Sequence, residues 1–132
     1  MVRVVGKIGS TVEGVIMREN CPVMIVNPFI QKEGLAFKRI LVGIDFSKSC
    51  ECALCLAVEL SRKYGSTLFP FHMIPVPPIP KYSKTDYEAD RGAAMQRLQE
   101  FSREFLENTD HEYSVRGGAL PHLEILKYAE KK

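Results

Sequence analysis

One stretch, Phe37 to Val76, restricts the folds open to this chain more than any other. It opens with a short apolar run, Arg39-Ile40-Leu41-Val42-Gly43-Ile44, which stops at Asp45 and a polar cluster, Ser47-Lys48-Ser49. A helical pattern follows, carrying Ala53, Leu54, Leu56, Ala57 and Leu60 before Tyr64-Gly65. A second apolar run, Thr67 to Ile74, then ends in prolines. Strand, helix and strand in that order form the unit that builds a parallel sheet. Ligands of such sheets sit beyond the carboxyl ends of the strands. Asp45 stands at the end of the first strand and just ahead of a helix start, so it is the first residue to consider for function.

The rest of the chain bounds the problem from outside. A length of 132 residues gives one domain room for a core. The formal net charge of +2 gives no argument for nucleic-acid or membrane-surface binding. No apolar stretch approaches the ~18 residues of a membrane span, and Met1-Val2-Arg3-Val4-Val5-Gly6 lacks the apolar core of a signal peptide. Three of the four cysteines fall in one helix, which is not a disulfide framework. A cytoplasmic protein is expected.

Ahead of the central stretch, Val2 to Val5 reads as a strand and Gly6-Lys7-Ile8-Gly9 as a turn. A helix then starts, with Ser10 or Thr11 as cap and Glu13 at the positive end of its dipole. Val12, Val15, Ile16 and Met17 are its expected buried face. Cys21 to Val26 reads as a strand closed by Asn27-Pro28, with Pro22 where a missing N–H costs little. Residues 29–36 read as a linker. Beyond the central stretch, Pro75 to Pro80 is a stiff extended connection and Tyr82 to Tyr87 a polar, mobile segment. A long amphipathic helix is expected from Thr85–Glu88 onward, with Ala94, Leu98, Phe101 and Phe105 on one side. Glu112 to Arg116 alternates like an edge strand, Gly117-Gly118-Ala119-Leu120-Pro121 reads as a turn, and a last helix runs from His122 with Leu123, Ile125 and Leu126 inward.

The run Ile40-Leu41-Val42-Gly43-Ile44-Asp45-Phe46-Ser47, followed by Ala53-Leu54 and Tyr64-Gly65, resembles the start of a universal stress protein domain. Gly9-Ser10-Thr11-Val12-Glu13 followed by Cys21-Pro22-Val23-Met24-Ile25-Val26 resembles the end of one, while Gly118, Pro121 and Ile125 look like its middle. The family's last part therefore comes first. Two organisations account for that order. In one, residues 1–28 end one domain, 29–36 link, and 37–132 begin another; in the other, residues 1–132 form one circularly permuted domain. The tandem reading needs no crossing back over the sheet and is preferred.

The resemblance implies an α/β fold with a mainly parallel open sheet, Rossmann-like and related to the adenine nucleotide alpha hydrolases. It also implies an adenine-nucleotide pocket for ATP or AMP, with magnesium accompanying ATP. Asp45 takes the place of the family's aspartate near adenine or ribose, in the turn Asp45-Phe46-Ser47. Ile44 would wall the base on one side, with Met73 and Ile74 on the other. Gly117 and Gly118 would let the third strand's end approach the ligand. The family's phosphate loop, G-x2-G-x9-G-[S/T], is matched here only by Gly9-Ser10 with Thr11 next, since its two earlier glycines would precede Met1. Glycines let backbone approach phosphate and the first amides of a helix point at it. Gly9-Ser10 is equally explained as a plain loop and N-cap, and Asp45 as a tether for the turn.

Cys50, Cys52 and Cys55 raise a metal or redox reading, but structural zinc wants four ligands in tetrahedral array, and core packing accounts better for Cys55. Cys50 lies near a helix N-terminus, where a thiolate is favoured. His72, mid-strand, reads as a satisfied core histidine; His111 and His122 lack a nucleophile partner. The expectation is a binding and signalling module rather than an enzyme, pairing as a homodimer through the Val23–Val26 strand, with neither nucleic acid nor membrane as partner. The competing expectations are an interaction domain of the same fold that binds no nucleotide and, third, a nucleotide hydrolase.

Overall fold

The computed structural model describes residues 9–25, 37–76 and 82–132. The strand expected at Val2–Val5, the linker 29–36 and the proline connection from Pro77 onward lie outside the described residues. The chain divides into two compact units, residues 1–35 and 36–132.

In the first unit, α1 spans Ser10–Arg18 with Gly9 at its N-cap. No side chain caps it, so neither Ser10 nor Thr11 takes that part. Its expected buried face is not buried: Val12, Val15, Ile16 and Met17 are all exposed. Cys21 to Ile25 does not form the expected strand, and Val23, Met24 and Ile25 are exposed too. A strand takes its hydrogen bonds and burial from a neighbour, and the described part of this unit offers none.

The second unit runs β1 (Arg39–Gly43), α2 (Lys48–Tyr64), β2 (Thr67–Pro75), α3 (Lys84–Leu106), β3 (Ser114–Gly118) and α4 (Pro121–Ala129). The three strands form one parallel sheet in the order β1-β2-β3. This is the expected parallel α/β architecture. Side chains alternate along each strand, and here both faces are covered. On one face Val42, Leu68, Ile74 and Val115 pack with Leu54, Ala57 and Val58 of α2 and Leu98 and Leu106 of α3. On the other, Phe69 and Phe71 pack with Tyr128 of α4, joined by Leu41, Met73 and Ile125.

The helices follow from local chemistry. Ser47 caps α2, its hydroxyl accepting from the Cys50 N–H. Gly65 ends the helix in the left-handed conformation at φ 64°, which costs a glycine little. The buried stripe of α2 is Cys50, Leu54, Ala57, Val58 and Ser61, spaced three and four apart. Cys55 was expected in the core but is exposed, because each residue turns about 100° from the last and Leu54 already faces inward. Cys50 takes the buried place instead. Helix α3 starts ahead of the expected Thr85–Glu88, at a reciprocal capping box between Ser83 and Asp86. In α4, Ile125 and Tyr128 face the sheet while Leu123 and Leu126 are exposed.

Strand β3 begins at Ser114 rather than Glu112, and Pro70 supplies the reason. Leu68 donates to the Asp110 carbonyl and accepts from the Glu112 N–H. Two residues on, Pro70 has no N–H with which to continue the ladder, and regular pairing resumes only at Phe71 with Ser114. Gly117 and Gly118, expected in a turn, close β3 opposite Ile74 and Pro75. Their size is needed for packing. A β-carbon on Gly117 would lie 2.5 Å from the Tyr87 ring, and one on Gly118 would lie 2.5 Å from Glu124 Cγ.

Candidate functional site

At the carboxyl ends of β1 and β2 a cleft of about 270 Å³ opens between the sheet and the start of α4. Gly43, Ile44, Asp45 and Cys50 line it from the β1–α2 side, Phe71, His72 and Met73 from β2, and Pro121 and Ile125 from α4. The walls are mainly apolar, with the polar groups gathered at the turn that leaves β1.

That turn is built in detail. Ile44 is buried, and its N–H continues the ladder to the Phe71 carbonyl at 2.8 Å. Its own carbonyl lies 2.7 Å from His72 Nδ1. A carbonyl only accepts, so Nδ1 carries the proton. His72 is thus satisfied, as expected, yet it also forms part of the cleft wall. Phe46 follows in a left-handed conformation at φ 65°, which a bulky residue seldom adopts. Its ring contacts hold it there: His72 at 4.5 Å, Phe101 edge-on at 5.5 Å, and the Arg97 guanidinium at 4.0 Å over its face.

Asp45 is exposed at the mouth of this cleft. Its Oδ1 accepts from the Ser47 N–H at 2.9 Å, closing an Asx turn. The same oxygen lies 2.8 Å from Cys50 Sγ, which donates to it. The Asp45 N–H reaches back to that sulfur at 3.3 Å. Hydrogen bonds from Cys50 first, and from Ser47 second, favour the ionised carboxylate and lower its pKa from 3.8 to about 2. An acceptor-only carboxylate beside an apolar wall suits a ligand offering hydroxyl or amino donors next to a flat apolar body.

Of the expected site residues, Ile44, Asp45 and Met73 come together in the cleft. Phe46 turns to the α3 side and Ser47 serves as the cap. Ile74 is buried with α2 and α3 on the opposite face from Met73, as alternation along a strand requires. Gly117 and Gly118 accommodate Tyr87 and Glu124 and do not line the cleft. Gly9, Ser10 and Thr11 open α1 in the other unit. Sequence reasoning missed Gly43, Cys50, Phe71, His72, Pro121 and Ile125 as cleft residues. For Cys50 a signal existed: it sits in the first turn of the helix that Asp45 introduces. Pro121 and Ile125 reach the site only because α4 crosses to the second face of the sheet.

Among the described residues no cluster of three or more His, Cys, Asp or Glu could hold a metal ion. Cys52 and Cys55 are exposed free thiols. No helix among the described residues is long and apolar enough to cross a membrane.

The model of the universal stress protein family matches residues 36–132. Among solved structures, universal stress protein UspA from Lactobacillus plantarum is similar at 19% identity, with a TM-score of 0.59 over 72% of this chain and 70% of that one. A universal stress protein from Archaeoglobus fulgidus is similar at 20% identity, covering 75% and 71% with a TM-score of 0.51. A universal stress protein in complex with cAMP gives 18% identity, 72% of each chain and a TM-score of 0.50. At these identities the structural likeness speaks for the fold. No curated protein sequence matches the chain.

Proposed function

The chain belongs to the universal stress protein family, and from that premise we propose that it binds an adenine nucleotide in the β1–β2 cleft as a signalling module. The observation that carries the reading is Asp45, a carboxylate held ionised at the mouth of a largely apolar cleft walled by Ile44 and Met73. A relative in the same fold was solved with cAMP, which supports an adenine ring as the flat apolar body. Asp45 would accept from a ribose hydroxyl or the adenine amino group. The cleft, about 270 Å³, falls just below the range of drug-sized ligand sites, which run from ~300 Å³ upward. It suits base and sugar, with ATP or AMP phosphates, and any magnesium they carry, outside it.

Titration calorimetry with ATP, AMP and adenosine, with and without magnesium, tests this reading. Binding that is lost in folded Asp45→Ala protein supports it, and no heat from any of the three ligands sinks it. Equal affinity for ATP and adenosine would show that the phosphates are not gripped and that Gly9-Ser10-Thr11 is only a helix start. The second reading, an interaction domain of this fold, draws on the exposed run Val23, Met24 and Ile25. Apolar side chains left exposed side by side suit a protein–protein contact, and we propose homodimerisation through Val23–Val26. Solution mass that stays dimeric in Met24→Lys protein would exclude that seam.

A further inference from the structure

The site as proposed leaves one polar group unused. Cys50 is 8% exposed, fixed by the α2 core below it, and it lines the cleft. Its sulfur touches Asp45 twice: it receives the Asp45 N–H at 3.3 Å and lies 2.8 Å from Oδ1. The Gly43 carbonyl is the other acceptor in range, at 3.5 Å. A thiol has one proton, and the carboxylate is both nearer and charged. One carboxylate oxygen is therefore tied by the S–H and by the Ser47 N–H. The Ser47 side chain is a further donor that favours the ionised carboxylate, while the Ser47 N–H and the Cys50 sulfur both converge on Oδ1.

We propose that Cys50 is the positioning residue of this cleft: its S–H ties down Asp45 Oδ1 so that Oδ2 faces the ligand. This rests on the adenine-nucleotide reading only for the identity of the ligand. The tether itself is a property of the protein's own residues. A surface carboxylate anchored only through Ser47 would sample more rotamers, and binding would have to order it. A buried helical side chain holding it beforehand removes that cost. The remaining titratable group of the cleft wall, His72, has its Nδ1 proton committed to the Ile44 carbonyl and is no substitute for the thiol. Serine at position 50 keeps a donor on a slightly shorter bond, whereas alanine removes it.

The test compares wild type, Cys50→Ala and Cys50→Ser in two measurements. The first is an NMR pH titration of the Asp45 carboxyl without ligand; the second is ATP calorimetry. In Cys50→Ala the Asp45 midpoint should rise from about 2 toward 3.8, and ATP affinity should fall about tenfold, the scale of one hydrogen bond to a charged group. Cys50→Ser should restore most of both. In an Asp45→Ala background, Cys50→Ala should change ATP affinity less than about twofold. An Asp45 midpoint unmoved in Cys50→Ala, or an equal affinity loss with Asp45 already removed, overturns the proposal. If the midpoint moves while wild type binds no ATP, the positioning role stands and the nucleotide reading falls.

Discussion

Two helix starts in this molecule share their chemistry and differ in everything around it. Gly9-Ser10-Thr11 opens α1, and Asp45-Phe46-Ser47 opens α2; each brings small polar side chains to the positive end of a helix. Behind α2 stands a strand paired through five residues with its neighbour, and beneath it a buried stripe. Ser47 caps that helix, Asp45 closes the turn, and Cys50 locks the carboxylate. Behind α1 nothing comparable is described: its cap has no side-chain hydrogen bond and none of its residues is buried. A polar helix start becomes a site when a core fixes where its atoms point.

The largest expected effect tests that core. Leu54 is fully buried, so Leu54→Ala should cost about 2–5 kcal/mol. Val15, on the expected inner face of α1, is 43% exposed, and Val15→Ala should fall within about 0.5 kcal/mol of wild type. Urea denaturation measures both. A Val15→Ala cost approaching that of Leu54→Ala would break the comparison, because α1 would then be buried in solution. A smaller effect follows at the caps. Ser47→Ala should cost about 1 kcal/mol through the lost bond to the Cys50 N–H. Ser10→Ala removes no cap and should leave the same unfolding curve unchanged. Equal losses from the two would mean that α1 has a cap of its own in solution.

The same contrast explains what could be read from the sequence. Strand β1, helix α2 and strand β2 were legible because apolar runs and three-to-four spacing are local signals, and Asp45 followed from the rule that parallel sheets bind ligands at their carboxyl ends. The cleft's other walls were not local. His72 and Met73 reach it by lying at the end of the central strand, and Pro121 and Ile125 by belonging to the helix on the second face. Ile74 was misplaced because an apolar run buried on both faces hides which of two adjacent residues points where. Gly117 and Gly118 read as a turn because glycine signals either a turn or a close approach, and only the neighbouring Tyr87 and Glu124 show it is the second. In α4 the apolar residues 123, 125, 126 and 128 allow more than one inward face, and the ring contacts of Tyr128 with Phe69 and Phe71 select it.

The smallest effect sharpens the comparison at the Asp45 turn itself. Hydrogen bonds from Cys50 and Ser47 to its ionised form hold the Asp45 carboxyl down at about 2 in the folded protein, against 3.8 ordinarily. A depressed carboxylate stabilises the fold fully above its unfolded value. That contribution is lost as pH falls from about 3.8 through about 2, and it is gone once both states are protonated. Asp86 is lowered in the same direction by its capping box with Ser83, so the acid limb of the wild type alone mixes the two. Subtracting Asp45→Asn isolates the first: asparagine keeps an acceptor for both donors but has no charge to lose. The stability difference between wild type and Asp45→Asn should be constant from about pH 7 to about pH 4 and shrink toward about pH 2. The change should be modest, because Asp45 is exposed and solvent screens it. If the difference does not change with pH, the Cys50 and Ser47 donors do not hold the charge, and the turn after β1 is no better built as an anion than the bare start of α1.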